Sequence, residues 1–332
     1  MSPVAVLGSG SWGSALAVHL ARSGRTVRLW GRDVALVRGM ALTGTNPAYL
    51  PGVSFPPGVT PEPSLRAAVT GAAFVVLAVP SHGLRAVMQL AAPFLSRDAV
   101  LVSATKGLEA GTLRRMSEVI REETGGVPVV VLSGPSFASE VARGLPTAVL
   151  AASTDPAAAA RVQEQFRGPG LRLYVSDDVP GVEIGGALKN VIAIAAGTVE
   201  GLGLGHNAMA ALITRGLAEI SRLACAEGGR RDTLAGLSGL GDLVLTCTGD
   251  LSRNRRVGLE LGRGRSLADV LAGLRMVAEG VRTTGAALEL GTRHGVELPI
   301  TAQMAAVLDG RCSPRAAVEC LMGRPQRAEL EA

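Results

Sequence analysis

Residues 183–197, EIGGALKNVIAIAAG, place Lys189 and Asn190 inside an otherwise apolar, helix-forming run. Of the 33 basic residues in the chain, only Lys106 and Lys189 are lysine; the other 31 are arginine. An arginine carries positive charge but does not release a proton at working pH, whereas a buried amine can be shifted until it does. A chain that uses arginine nearly everywhere and keeps two lysines points to two positions where arginine would fail. The competing explanation is drift in an arginine-biased chain, with each lysine extending its amine from a helix end. Acid–base chemistry at Lys189 is the sharper expectation.

Two further groups lie downstream. In LSGLGDLVLTC, Asp242 and Thr246 are four apart and share a helix face, so a carboxylate and a hydroxyl could flank an amine. Asp242 follows a glycine and could instead only cap a helix. In LSRNRR, Ser252, Arg253 and Asn254 combine a hydroxyl, a guanidinium fork and an amide where a helix could start, a set suited to phosphate. A solvated basic turn is the plain alternative.

The elements that would position these groups follow from the pattern. Residues 4–7 are a short apolar strand, followed by Gly8-Ser9-Gly10-Ser11-Trp12-Gly13 and a helical run. In a strand–turn–helix setting, the first glycine permits the tight turn, the second lets backbone approach a pyrophosphate, and the third allows close packing. The similar Gly203-Leu204-Gly205-His206-Asn207-Ala208 follows a helix rather than a strand and lacks that context. A second strand over 26–30 ends at Gly31-Arg32-Asp33. Where an acid would hold the ribose hydroxyls of NAD, an arginine comes first. Arg32 suits a 2′-phosphate and Asp33 a helix cap, so NADP(H) is expected to be preferred and NAD(H) tolerated.

Apolar strands over 73–79, 99–103 and 127–132 end at Pro80-Ser81-His82, at Thr105-Lys106-Gly107 and at Gly134-Pro135-Ser136. Runs this apolar imply strands covered on both faces, and ligands in such sheets collect beyond the strands' carboxyl ends. That places Lys106, Gly134 and Ser136 where binding is expected, with His82 read as a loop or cap residue. A strand at 147–151, a helix at 156–166 and a strand at 171–175 complete this half, and Asp177-Asp178-Val179-Pro180-Gly181 interrupts it. From 182 onward the pattern is helices joined by glycine turns, with a long amphipathic helix over 207–227. The expected fold class is α/β: a Rossmann-like, mainly parallel, doubly wound dinucleotide-binding domain at 1–180, and an all-helical substrate-binding domain at 181–332.

Composition excludes several other classes. Aromatics make up 3% of the chain, too few for a base-stacking surface, so nucleic acid is not an expected partner. A net charge of +5 favours anionic small molecules by long-range attraction. The four cysteines show no metal-ligand spacing, so no metal is expected and a reduced, cytoplasmic chain is. MSPVAVLGSG enters a strand at once, which leaves no room for a signal peptide, and Lys189 and Asn190 divide the best candidate for a membrane span.

These motifs together resemble bacterial-type NAD(P)-dependent glycerol-3-phosphate dehydrogenases along nearly the whole chain. The resemblance rests on GSGSWGSALA, ATKGLE, LSGPSFASEVARGLPTAV, GALKNVIAIAAG, NAMAALITRGLAEI, LSGLGDLVLTCTGDLSRNRRVG, VAEGVRTT, ELPIT and LMGR. Met209 departs from it, standing where a basic residue is expected. The resemblance implies reversible reduction of dihydroxyacetone phosphate to sn-glycerol 3-phosphate, supplying glycerophospholipid synthesis. Lys189 is then the acid or base, with Asn190, Asp242 and Thr246 beside it. Ser11, Trp12 and Arg32 contact the cofactor, and Ala138, Arg253, Val277 and Glu279 lie near it. Lys106 touches cofactor and substrate, and Gly134, Ser136, Asp242, Ser252, Arg253 and Asn254 touch the substrate. A homodimer is expected from the apolar character of the helical half. A related 3-hydroxy-acid or keto-acid reductase is the nearest alternative, and a non-catalytic NADPH sensor a more distant one.

Overall fold

A computed structural model describes residues 2–273, 278–326 and 328–329. The strands are β1 (Val4–Leu7), β2 (Val27–Trp30), β3 (Thr45–Asn46), β4 (Leu50–Ser54), β5 (Val59–Glu62), β6 (Phe74–Leu77), β7 (Val100–Ser103), β8 (Val129–Ser133), β9 (Thr147–Ala152) and β10 (Leu171–Ser176). Eight of them form one sheet in the order β10-β9-β8-β7-β6-β1-β2-β5, and β3 and β4 form a separate antiparallel pair. All neighbours in the large sheet run parallel except β8 and β9. This is the mainly parallel sheet expected from the strand pattern.

Its helices are α1 (Ser11–Arg22), α2 (Val34–Thr43), α3 (Leu65–Val69), α4 (Leu84–Ala91), α5 (Met116–Thr124), α6 (Ala138–Arg143) and α7 (Pro156–Phe166). Side chains alternate along each strand, so Val4 and Val6 join one buried cluster with Leu16, Leu20 and Phe166, while Ala5 and Leu7 join another with Met88 and Ile120. Both faces of the sheet are therefore covered, which is why the strands read as unbroken apolar runs.

The chain divides into two compact units. One holds residues up to Lys106 together with Arg114–Val179, and the other holds Gly107–Leu113 and everything from Pro180 on. Segment 107–113, read from sequence as part of the first half, thus groups with the helices, where Leu108 and Leu113 join the core. Leu113 is also the one non-glycine residue with positive φ among those described, at 61°. Its burial in the apolar cluster offsets a backbone conformation that L-residues disfavour.

The second unit contains α8 (Val179–Gly201), α9 (Gly205–Ala226), α10 (Arg231–Ala235), α11 (Asp242–Thr248), α12 (Arg253–Gly262), α13 (Leu267–Ala272), α14 (Glu279–His294), α15 (Pro299–Leu308) and α16 (Pro314–Met322). Of the interruption expected at 177–181, Asp177 and Asp178 join β10 to α8, and the rest is the first turn of α8, where Pro180 is tolerated because the opening N–H groups of a helix have no partner in it. By length and composition α8 could cross a membrane, with a mean hydropathy of 1.4 in its best window, but that window is wholly buried within the protein. A helix that is apolar all round and surrounded by other helices is the centre of a core.

Four glycines lock α8 to α12. A Cβ at Gly197 would stand 1.8 Å from the Arg255 carbonyl oxygen, and one at Gly258 would stand 1.8 Å from that of Ile194. One turn further on, Gly201 and Gly262 face the Leu259 and Thr198 carbonyls at 2.4 and 2.7 Å on the same measure. The backbones touch directly, and the Thr198 hydroxyl donates to the Ile194 carbonyl within this crossing. The contact fixes where the first turn of α12 falls relative to the middle of α8.

Candidate active site

In the first unit, β1 pairs with both β2 and β6, so strand order reverses beside it. The glycine turn leaves β1 at this switch point, the place where open parallel sheets bind ligands. Gly8 has φ +117°, and a Cβ there would lie 2.5 Å from the Ala78 carbonyl oxygen beyond β6. A Cβ at Gly13 would lie 1.8 Å from the Gly8 oxygen. Both positions require glycine for reasons internal to the protein. Gly10 does not: its backbone is extended, and a Cβ there would meet nothing within 4 Å. It stands at the N-terminus of α1, so a side chain would fill open space in front of the helix's unpaired N–H groups. That space fits a pyrophosphate held by backbone amides.

Ser11 opens α1, and Trp12 packs between the sheet core and the cluster that includes Leu50 and Val53. Ala138, the first residue of α6, packs against that same cluster. The turn has a brace that the sequence did not reveal. The Asn46 amide, fully buried on β3, donates to the Ser9 carbonyl at 2.8 Å and to the Ser14 hydroxyl at 2.8 Å. Its partners lie 37 and 32 residues away, so no local pattern points to it. After β2, Arg32 is exposed and Asp33 caps α2, accepting from the Leu36 N–H at 3.0 Å.

Beyond β7 and β8 the expected residues converge. Lys106 Nζ donates to the Gly134 carbonyl at 3.4 Å, a long contact, and the Ser136 hydroxyl donates to the same oxygen at 2.9 Å. Gly134 has φ +135° with Val149 Cα behind it, so this turn requires glycine. Thr105, the residue just before Lys106, is itself anchored by donating to the Leu77 and Val79 carbonyls.

In the second unit, Lys189 is 8% exposed near the middle of α8. Its amine donates to Asp242 Oδ1 at 2.5 Å and to the Thr246 hydroxyl at 2.8 Å. Thr246 in turn donates to the Asp242 backbone carbonyl at 2.6 Å. Asp242 is not a helix cap: a π-type turn over Leu237–Gly241 runs straight into α11, closed by Gly241 N–H to the Gly236 carbonyl at 3.1 Å. The turn lies against α8 because Gly185 has no side chain; a Cβ there would be 2.8 Å from the Ser238 oxygen. One extra residue in the turn rotates the helix that it leads into, and such bulges gather at functional sites. Beside the pair, burial and then the Asp242 charge push the Cys247 thiol up to about 12, against the pull of Lys189.

Ser252 caps α12, accepting from the Arg255 N–H at 3.2 Å, so this segment starts a helix rather than forming a solvated turn. Ser252 and Asn254 are buried and Arg253 is exposed. Desolvation by the surrounding protein lowers the Arg253 pKa, and the negative charge of Glu279 on α14 opposes that shift. Asn254 Nδ2 donates to Asn190 Oδ1 at 2.9 Å, and the Gly280 N–H donates to Asn254 Oδ1 at 3.0 Å. Val277 lies outside the described residues.

A doubly wound sheet with a glycine turn at its switch point, and a helical unit with a buried lysine–carboxylate pair, define the frame of a nicotinamide-dependent dehydrogenase. The N-terminal signature of NAD-dependent glycerol-3-phosphate dehydrogenase matches residues 3–159, and the C-terminal signature matches residues 178–319. The chain belongs to this family. It is 54% identical to a glycerol-3-phosphate dehydrogenase [NAD(P)+] of Koribacter versatilis, covering 99% of both chains. A protein of the same name from Acidobacterium capsulatum is also 54% identical, over 99% of this chain and all of the other. The crystal structure of glycerol-3-phosphate dehydrogenase from Coxiella burnetii has a TM-score of 0.94 at 43% identity, covering 97% of this chain and 99% of that one.

Proposed function

We propose that this chain reversibly reduces dihydroxyacetone phosphate to sn-glycerol 3-phosphate, with Lys189 as general acid and base. The observation that carries the reading is the Lys189 amine, nearly buried and held by Asp242 and Thr246. When bound, the nicotinamide supplies a hydride to the carbonyl carbon. Negative charge then grows on the carbonyl oxygen, and the Lys189 ammonium stabilises and protonates it. In the oxidative direction the neutral amine takes the hydroxyl proton. Asp242 favours the charged amine and fixes its direction, and Thr246 sets the remaining geometry.

Gly8, Gly10, Ser11, Trp12 and Gly13 are assigned to the dinucleotide, joined by Ala138, Val277 and Glu279. Arg32 is assigned to a 2′-phosphate, which makes NADP(H) the preferred cofactor and NAD(H) a tolerated one; its exposure beside an Asp33 already committed to capping supports this. Lys106, Gly134, Ser136, Ser252, Arg253 and Asn254 are assigned to the substrate, with Arg253 as the principal phosphate ligand and Asn190 beside the reacting oxygen. A cytoplasmic homodimer supplying glycerophospholipid synthesis completes the reading. Exposed Leu240, Val244 and Leu251 on the helical unit support self-association, which sedimentation equilibrium tests.

The deciding assay follows absorbance at 340 nm with dihydroxyacetone phosphate in parallel with keto acids. Oxidation of NADPH by the phosphate ester alone is expected, and turnover of keto acids instead would overturn the assignment. Apparent Michaelis constants should be lower for NADPH than for NADH, and Arg32→Ala should close that gap. A strong NADH preference in the unaltered protein would sink the cofactor assignment.

A further inference from the structure

Asn46 holds the glycine turn from behind, and its surroundings settle which end of its amide does the holding. The Tyr49 main-chain N–H, which can only donate, reaches Asn46 Oδ1 at 3.2 Å. That turns the side-chain nitrogen toward the turn, where its two hydrogens serve the Ser9 carbonyl and the Ser14 hydroxyl. Both ends of the amide are thereby used, as full burial requires. Asn46 reaches this place because the β3–β4 pair lies on α1: Leu50 and Val53 of β4 share a buried cluster with Ala15 and Val18 of α1. The pairing of β3 with β4 is irregular between Thr45 and Asn46, and an irregularity of that kind re-aims a side chain.

The consequence falls on the next group along the chain. Among the described residues no peptide bond is cis, and in a trans peptide the carbonyl and the N–H of the following residue point in opposite directions. A Ser9 carbonyl drawn inward to Asn46 therefore turns the Gly10 N–H outward. Gly10 precedes the first turn of α1, beside the open space that a side chain would enter. The Gly8 N–H is committed to the Trp30 carbonyl at 2.9 Å and is not available to a ligand. Without the hold on Ser9, the peptide could rotate and present its carbonyl oxygen to that space, where it would repel an anion.

We propose that Asn46 is a positioning residue for the dinucleotide: by fixing the Ser9–Gly10 peptide from the buried side, it aims the Gly10 N–H at the pyrophosphate. This rests on the dehydrogenase reading above. It makes the β3–β4 pair, which stands apart from the main sheet, part of what builds the cofactor site.

The test is calorimetric titration with NADPH, well below the melting temperature, of the unaltered protein, Asn46→Asp and Asn46→Ala. The aspartate keeps an acceptor for Tyr49 but, once ionised, has nothing to donate to Ser9; the alanine removes both contacts. Each variant is expected to raise Kd for NADPH about tenfold or more, the worth of one hydrogen bond to a charged group, while kcat at saturating NADPH and KM for dihydroxyacetone phosphate stay within about threefold. In a Gly10→Ala background, where the pyrophosphate contact is already impaired, Asn46→Ala should raise Kd less than about threefold further. A folded Asn46 variant with a lower melting temperature and unchanged Kd would make Asn46 a structural prop and end the proposal, as would losses that multiply in the double variant. Should neither Asn46 variant fold, the Gly10 amide proton of the unaltered protein decides: it should shift downfield in NMR spectra when NADPH is added, and an unmoved resonance overturns the proposal. If the unaltered protein neither binds NADPH nor oxidises it with dihydroxyacetone phosphate, the parent reading has failed, an outcome seen before any variant is compared.

Discussion

The Lys189 amine gives the most direct tests at the level of single residues. Lys189→Arg keeps the charge but cannot supply a proton, so kcat for dihydroxyacetone phosphate reduction should fall by about 10² to 10⁴. A variant retaining most of its turnover would remove Lys189 from proton transfer. Its ion pair with Asp242 is almost fully buried, and breaking such a pair leaves an uncompensated charge that costs about 3–5 kcal/mol. Lys189→Met and Asp242→Leu should each lower stability in urea titrations by an amount of that order, and the double variant should recover much of the loss. Additive losses would mean the two groups are not energetically coupled. Cys247 offers a separate check. Its raised pKa and burial should keep it from alkylation by iodoacetamide in the native protein, while exposed Cys225 and Cys320 react; mass spectrometry before and after unfolding distinguishes them.

Between elements, glycine does two different jobs in this chain. At the glycine turn, Gly8→Ala and Gly13→Ala should destabilise the fold, because their Cβ atoms would overlap main-chain atoms. Gly10→Ala should leave the melting temperature nearly unchanged and weaken NADPH binding in calorimetric titration, because its Cβ enters only open space at the N-terminus of α1. If Gly10→Ala binds as tightly as the parent protein, that space is not where the pyrophosphate sits. In the helical unit, Gly258→Ala would force α8 and α12 apart at their main-chain contact. Overpacking of this kind typically costs about 1–3 kcal/mol, and more where backbone cannot yield. Urea denaturation should show at least that loss, and no change would mean the two helices separate at little cost.

For the molecule as a whole, one buried histidine ties stability to pH. His19 on α1 donates from Nε2 to the Phe166 carbonyl at 2.7 Å, and burial lowers its pKa below 6.5, partly offset by that bond. A histidine depressed in the folded state is protonated first in the unfolded chain. The stability it preserves is therefore present above about pH 6.5 and is lost as pH falls toward the folded-state value. The melting temperature should drop between pH 7.5 and 5.5, and His19→Gln should flatten that part of the profile. An unchanged slope in the variant would assign the acid sensitivity to other groups.

The amino-acid sequence by itself determined the strand-and-glycine-turn opening, the mainly parallel sheet and the setting of Lys189 as a lone charge in an apolar helix. Local features carry these: β-branched runs, glycine spacing, and a charge within an apolar helix. It also put Asp242 and Thr246 on one helix face and Asp33 at a cap, because four-residue spacing and first-turn chemistry are local too. Tertiary structure alone decided that Asp242 serves Lys189 rather than capping α11, since 53 residues separate the pair and a π-type turn aims the carboxylate. The same holds for Asn46 behind the glycine turn, for segment 107–113 in the helical core, and for Gly280 and Asn254 behind Asn190. Each depends on which main-chain atoms meet after the helices and strands have packed, and no spacing along the chain encodes a contact made across it.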